Sequence, residues 1–154
     1  MKPSARTLRR HPVAIEGSRL PPPLVSYLVD RERWVLEAAY TYTDGARRLT
    51  VPQGFEFDLA SVPRAFWSLI APFELSIAAP LLHDFLYRYQ GEPPAGAIEP
   101  PGRYSRLEAD RLFRRVMEEE GVARWRRALG YAAVRLFSGY AWAEGKPAHE
   151  RTAE

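Results

Sequence analysis

The first part of the chain has the alternating, β-rich pattern of strands. Residues 24 to 29, LVSYLV, predict a short strand, and residues 34 to 43, WVLEAAYTYT, are rich in β-branched and aromatic side chains. RRLTVP follows at residues 47 to 52. Asp44 and Gly45 lie between the last two segments, and this dipeptide is a strong signal for a tight turn. The pattern therefore predicts a β-hairpin or small antiparallel sheet.

The second part of the chain has apolar residues at the three- and four-residue spacing of helices. Ser105 and Glu108 form the pattern of a capping box, which predicts the start of one helix, and Gly121 predicts its end. The predicted helices are a short one near Pro63 and longer ones over residues 74–90, 105–120 and 123–142. Strands followed by a bundle of three to four helices predict an α+β fold.

The length of 154 residues predicts a single domain. Residues 1–23 end in three consecutive prolines and are predicted to be an arm or an edge segment. Residues 24–142 are predicted to form the α+β domain, and residues 143–154 a disordered tail. The proline- and glycine-rich stretch GEPPAGAIEPPG, residues 91–102, predicts an exposed loop between the two helices that flank it.

The composition removes several classes of function. The chain has no cysteine, which excludes disulfides, thiolate nucleophiles and cysteine-ligated zinc. It has no apolar run long enough to span a membrane, and its start lacks the apolar stretch of a secretory signal. We therefore expect a soluble, cytoplasmic protein. Abundant arginine with only two lysines and no asparagine is typical of a GC-rich genome and compatible with a thermophilic source.

The charge balance argues against a nucleic-acid partner. The net charge is +3 and the pI is about 9.4, values that also occur in nucleic-acid-binding proteins. Here, however, the arginines are interspersed with acidic residues, as in RLEADRLFRRVMEEE, and form no basic block. We therefore expect partners of another kind.

Candidate chemistry lies in LLHDFLYRYQ, residues 81 to 90. On a helix with about 100° per residue, the apolar side chains share one broad arc and His83 lies nearly opposite its centre. Tyr87 follows His83 by one turn on the same side, and Asp84 is the next residue after the histidine. The following helix carries Asp110, which can approach this polar face if the two helices pack antiparallel. The sequence therefore predicts a polar site between these helices.

These residue types are suited to hydrolysis. A histidine held by a carboxylate through one nitrogen can act as a base through the other. A neighbouring aspartate can bind a hard cation such as Ca²⁺, and a tyrosine hydroxyl can hold the orienting carboxylate. Such a set can activate water for attack on an ester.

A structural interpretation of the same residues stays open. His83 and Asp84 would then be a hydrogen-bonded pair that fixes their helix, and Asp110 would be favoured by the helix dipole. Asp58 and Ser61 would serve a turn and a helix cap ahead of Pro63.

The HDFLY helix followed by a helix with EADRLF resembles the catalytic core of secreted and prokaryotic phospholipases A2. The resemblance implies that His83 is the base and that Tyr87 and Asp110 support it. It also implies that Asp84 binds Ca²⁺. GFEFDLASVP, residues 54 to 63, stands where a calcium-binding loop would lie, and Asp58 would be a second ligand there.

A longer set of blocks covers about residues 49 to 138: VPQGFEFDLASVPRAFW, APLLHDFLYR, SRLEADRLFRRVMEEEGV and ALGYAAVRLF. In order and spacing they resemble a phage- and prophage-associated domain of unknown function, the family numbered 1353. The resemblance implies a phage or prophage origin and a location in the host cytoplasm or the virion. Two functions stay open. One is a metal-assisted, phospholipase A2-like ester hydrolase. The other is non-catalytic, either a virion or assembly component or a small binding module that acts on a host factor.

Overall fold

The computed structural model describes residues 17–57 and 78–151. Across these ranges five strands precede the helices, a sixth strand follows the first helix, and strands and helices contribute to one hydrophobic core. The predicted α+β fold is confirmed. The short helix predicted near Pro63, with Asp58 and Ser61, lies outside the described residues.

The first sheet is antiparallel and has three strands in the order β1-β2-β5. Its strands are β1 Val25–Leu28, β2 Arg33–Leu36 and β5 Glu56–Phe57. Val25 lies opposite Leu36 across the β1–β2 pair, and both side chains are buried in the core, as is Phe57. These apolar positions fix which face of the sheet turns inward, because a shift of one residue would expose them.

The second sheet has the order β3-β4-β6, with β3 Tyr40–Asp44, β4 Arg47–Val51 and β6 Ile98–Glu99. The predicted hairpin is confirmed, since Asp44 pairs with Arg47 across a two-residue loop. Gly45 begins this loop with a φ of 59°, a conformation that favours glycine because it has no Cβ. The dipeptide therefore acts as the local pattern predicts.

Two predictions about the strands are wrong. Residues 34–43 do not form one strand, because the chain leaves the first sheet after Leu36 and enters the second at Tyr40. The exposed link, Glu37 to Ala39, consists of residues that are poor strand formers.

The 91–102 stretch is not wholly an exposed loop either. Ile98 pairs with Leu49 and is buried, so its apolar side chain holds the second half of this stretch on the sheet.

The helices are α1 Ala78–Arg88, α2 Arg106–Glu119, α3 Arg124–Phe137, α4 Gly139–Glu144 and α5 Ala148–Arg151. The capping box is confirmed: Ser105 Oγ accepts from the Glu108 N–H at 3.2 Å, and Glu108 Oε2 accepts from the Ser105 N–H at 2.7 Å. The single helix predicted over 123–142 is wrong, because Ser138 separates α3 from α4. Gly139 follows Ser138 at this break, and glycine is a poor helix former.

The segment predicted as a disordered tail contains ordered structure from residue 143 to Arg151. The N–H of Lys146 donates to the carbonyl of Arg88 at 3.0 Å, and that of Ala148 donates to the carbonyl of Glu92 at 2.9 Å. Gly145 is buried against the end of α1. The correction has a physical cause, because the segment supplies partners for the Arg88 carbonyl at the C-terminus of α1 and for the Glu92 carbonyl in the turn that follows.

The described part of the predicted arm, residues 17–23, also lies on the domain. The N–H of Arg19 donates to the carbonyl of Glu119 at 2.8 Å, and the Tyr40 hydroxyl donates to the carbonyl of Pro21 at 2.8 Å. Within 17–57 and 78–151, no helix has the length and apolar character needed to cross a membrane.

Candidate active site

The helix α1 is buried on two sides. Its apolar face contributes Leu81, Leu82, Phe85 and Leu86 to the core, all 0% exposed. Its polar face is also covered, because α2 packs against it and leaves His83 1% exposed and Tyr87 3% exposed. The amphipathic pattern therefore distinguishes two buried environments rather than a core and a solvent face.

His83, Tyr87 and Asp110 meet between α1 and α2. The Nε2 of His83 lies 2.8 Å from Oδ1 of Asp110, and the Tyr87 hydroxyl donates to the same oxygen at 2.5 Å. The Asp110 side chain is 0% exposed. The three residues that the sequence predicts as base and supports are thus brought into one hydrogen-bonded set.

Two arginines complete this set, and neither is among the residues predicted from the sequence. Arg135 on α3 donates from Nη1 to Asp110 Oδ2 at 2.7 Å. Arg106 lies one turn before Asp110 on α2, with its Nε 3.9 Å from Oδ2 and 3.3 Å from the Tyr87 hydroxyl. The four-residue spacing of Arg106 and Asp110 was an available signal. Arg135 had none, because its place depends on how α3 packs.

Aromatic rings enclose the histidine. The centroid of the His83 ring lies 4.0 Å from that of Tyr87 and 5.0 Å from that of Phe113. Trp142 on α4 lies edge-on to Tyr87 at 5.1 Å. This packing limits the orientations of the imidazole, so its hydrogen-bonding direction is held by shape as well as by Asp110.

Both ends of α1 are fixed to other elements. At the N-terminus the N–H of Ala79 donates to Oε1 of the buried Glu120 at 3.0 Å. At the C-terminus Arg88 donates to the carbonyl of Glu56 at 2.6 Å and lies over the Phe55 ring at 4.4 Å. The helix that carries His83 is therefore anchored both to the end of α2 and to the β5 region.

The electrostatics define the protonation states. Burial lowers the pKa of His83, and this effect outweighs the Asp110 carboxylate, which acts in the opposite direction. Burial alone would raise the pKa of Asp110, but hydrogen bonds from His83, Tyr87 and Arg135 hold it below its usual value. Burial and the nearby carboxylate raise the pKa of Tyr87. At neutral pH the set is therefore a neutral imidazole, a carboxylate and a protonated phenol.

These states determine the tautomer of His83. An ionised carboxylate can only accept hydrogen bonds, so the Nε2 that faces Asp110 carries the proton. The lone pair of the imidazole is then on Nδ1. Among residues 17–57 and 78–151, the hydrogen bond of this side chain is made through Nε2 alone. The arrangement is suited to a base that acts through Nδ1.

The predicted metal ligands are not brought together in the described structure. Asp84 is half-buried on α1, and Asp58 lies outside the described residues. In the described ranges no group of three or more histidine, aspartate or glutamate side chains is arranged to hold a metal ion. The calcium site stays a prediction.

Comparison with known proteins gives one match. The family model described as "Protein of unknown function (DUF1353)" matches residues 34–134, more than half of the chain. The match begins at β2 and ends within α3, so it includes the whole hydrogen-bonded set except Arg135. No curated protein and no solved structure gives a significant match.

Proposed function

We propose that this chain, which belongs to the DUF1353 family, is a hydrolase in which His83 activates water for attack on an ester bond. One observation supports this most directly: Nε2 of His83 lies 2.8 Å from a buried carboxylate oxygen that also accepts from Tyr87. A histidine held in this way has its basic nitrogen directed away from its support.

The proposed reaction uses Nδ1 of His83 as the base. Nδ1 takes a proton from water as the water oxygen bonds to the ester carbonyl carbon. The imidazolium that forms is stabilised by the Asp110 carboxylate and then gives its proton to the departing alkoxide. The ester and water become a carboxylic acid and an alcohol, and His83 returns to its neutral form.

The proposed cofactor is Ca²⁺, with Asp84 and Asp58 as its ligands. A bound calcium ion would polarise the ester carbonyl. The described part of the chain supplies only Asp84, so none of the steps above depends on the ion. The phospholipase A2 resemblance supports a phospholipid-like ester as substrate. The DUF1353 resemblance supports a phage or prophage origin, and with it the host cytoplasm or the virion as the place of action.

A non-catalytic function is the second candidate, and the burial of the set favours it. His83 is 1% exposed and Asp110 is 0% exposed, as in a polar network that only fixes two helices. Under this alternative the chain is a virion or assembly component, or a binding module that acts on a host factor.

An ester panel tests the hydrolase proposal. Wild-type protein would be assayed on short-chain 4-nitrophenyl esters and on phospholipid vesicles, with added Ca²⁺ or with a chelator. We expect cleavage of at least one ester class. No cleavage of any ester, with or without cations, would overturn the proposal and favour the non-catalytic alternative.

Thermal melts test the cation separately. Calcium, magnesium, manganese and zinc would each be added back after chelation to wild type and to Asp84→Asn. A cation that raises the melting temperature of wild type but not of the variant supports a site at Asp84. Asp30→Asn, the same change at an exposed position, should respond as wild type does. If no cation shifts the wild type, the calcium proposal falls.

A further inference from the structure

Both carboxylate oxygens of Asp110 accept hydrogen bonds. Its Oδ1 accepts from His83 and Tyr87, and its Oδ2 accepts from Nη1 of Arg135 at 2.7 Å. The carboxylate is 0% exposed, whereas Arg135 is 33% exposed. Arg135 thus brings a positive charge from the protein surface to the oxygen that does not contact the histidine.

The two arginines have different roles in this geometry. Arg106 Nε is 3.9 Å from Asp110 Oδ2, beyond hydrogen-bonding distance. Its guanidinium instead donates to the backbone carbonyls of Val134 and Arg135 at 3.1 and 2.8 Å. Arg106 therefore fixes the stretch of α3 from which Arg135 extends, and Arg135 makes the close contact with the carboxylate.

Burial favours the protonated acid, and two kinds of neighbour oppose this effect: groups that donate hydrogen bonds to the carboxylate, as His83 and Tyr87 do, and positive charges. His83 is neutral in this set and Tyr87 donates as a phenol, so neither supplies a positive charge. The charged groups that face His83 and Asp110 in the described structure are Arg106 and Arg135, from α2 and α3. Arg135 is the one in hydrogen-bond contact with Asp110.

We propose that Arg135 is a positioning residue for the candidate active site. Arg135 holds Asp110 ionised, and the ionised carboxylate fixes His83 as the tautomer with its proton on Nε2. If Asp110 took up a proton it would become a hydrogen-bond donor, and Nε2 could then accept. The proton of His83 would move to Nδ1, which could no longer act as the base. The role of Nδ1 as a base in this inference rests on the proposed function. The tautomer of His83 itself can be measured without a substrate.

The experiment is ¹⁵N NMR of the His83 side chain at neutral pH in wild type and variants. Wild type is expected to show protonated Nε2 and unprotonated Nδ1. In Arg135→Gln, which removes the charge, the ratio of the Nδ1–H to the Nε2–H form should rise at least tenfold. Arg135→Lys, which keeps a positive charge, should restore most of the wild-type ratio. An unchanged ratio in Arg135→Gln overturns the proposal.

Arg115 provides a matched control. It donates to Asp44 Oδ1 at 2.6 Å and is 47% exposed, so it makes a similar contact in another carboxylate cluster. Arg115→Gln should leave the His83 tautomer unchanged. An equal effect of Arg115→Gln would show a general loss of structure and would count against the proposal.

Two further measurements separate a failure of the Arg135 proposal from a failure of folding or of the hydrolase proposal. If Arg135→Gln does not fold, ¹³C NMR of the Asp110 carboxyl in wild type and Arg135→Lys decides. The pKa of Asp110 should lie below its usual value of 3.8 in both proteins, and a pKa above that value in wild type overturns the proposal. If the tautomer shifts as expected while no ester is cleaved, Arg135 is confirmed as a positioning residue and only the hydrolase function falls.

Discussion

Gly145 lies so close to the end of α1 that a Cβ atom there would be 2.1 Å from the carbonyl oxygen of Tyr87. Its φ of −65° is open to any residue, so lack of space and not backbone strain requires glycine. The C-terminal segment can therefore dock on the helix that carries the candidate active site only when this position has no side chain.

Gly145→Ala should destabilise the fold by about 1–3 kcal/mol, the usual range for a side chain forced into a packed site. Gly102→Ala is the control, because the nearest atom to its Cβ would be the Pro100 carbonyl oxygen at 3.9 Å. That change should be neutral or slightly stabilising. Urea unfolding measures both. Equal stability of the two variants would show that the segment around Gly145 does not dock as described.

Asp110→Asn should be among the most destabilising single changes. The asparagine amide has no negative charge to compensate Arg135. It also replaces one of the two accepting oxygens of Asp110 with an NH₂ group, which can only donate. Leaving a buried hydrogen-bonding group without its partner typically costs about 1–3 kcal/mol, and more where a charged group takes part. Glu99→Gln removes one partner of the exposed Arg48–Glu99 pair and should cost less than about 1 kcal/mol. A similar small effect of both changes in denaturant unfolding would contradict the role given to Asp110.

Acid should destabilise the protein through His83. Because burial lowers the pKa of His83 from 6.5, the unfolded chain takes up a proton as the pH falls through 6.5, while the folded chain does not. The contribution of the neutral, buried His83 to the free energy of unfolding is therefore complete above pH 6.5 and decreases below it. The slope for one proton is about 1.4 kcal/mol per pH unit, until the folded histidine is itself protonated.

Urea unfolding of wild type and His83→Gln between about pH 5 and pH 8 checks this dependence. The glutamine cannot titrate, so the unfolding free energy of the variant should change less below pH 6.5 than that of wild type. Parallel curves would mean that His83 has an ordinary pKa in the folded protein. At still lower pH both proteins should lose stability together, since the pKa of Asp110 is held below 3.8 and its carboxylate becomes protonated in the unfolded chain first.

The sequence was most informative where structure depends on near neighbours. The hairpin at Asp44-Gly45 and the capping box at Ser105 and Glu108 follow from spacings of a few residues, and both are confirmed. The meeting of His83 with Asp110, 27 residues apart, could be anticipated because His83 lies on the polar side of its helix and Asp110 flanks the apolar stripe of the next helix. Two such stripes pack together and bring their flanking polar residues into contact.

The remaining features depend on long-range packing and leave no local pattern. The pairing of Ile98 with Leu49 could not be predicted from a proline-rich stretch, because two strand residues are too few to show a period. Arg135 lies 25 residues from Asp110, and its contact depends on the angle at which α3 crosses α2. One arginine among many gives no signal of such a contact. The C-terminal segment looks polar by itself, and its partners are carbonyl groups, which sequence does not distinguish.

The most direct test of the proposed function is the rate of ester hydrolysis by wild type and His83→Gln at pH 7.5, on the best substrate of the panel. Glutamine keeps an N–H that can donate to Asp110 but has no basic nitrogen. Unfolding curves of both proteins under assay conditions would establish that both are folded. We predict a fall in kcat/KM of about 10²–10⁴, the range of general-base catalysis. A folded His83→Gln that keeps the wild-type rate would contradict the account and leave His83 as a structural partner of Asp110.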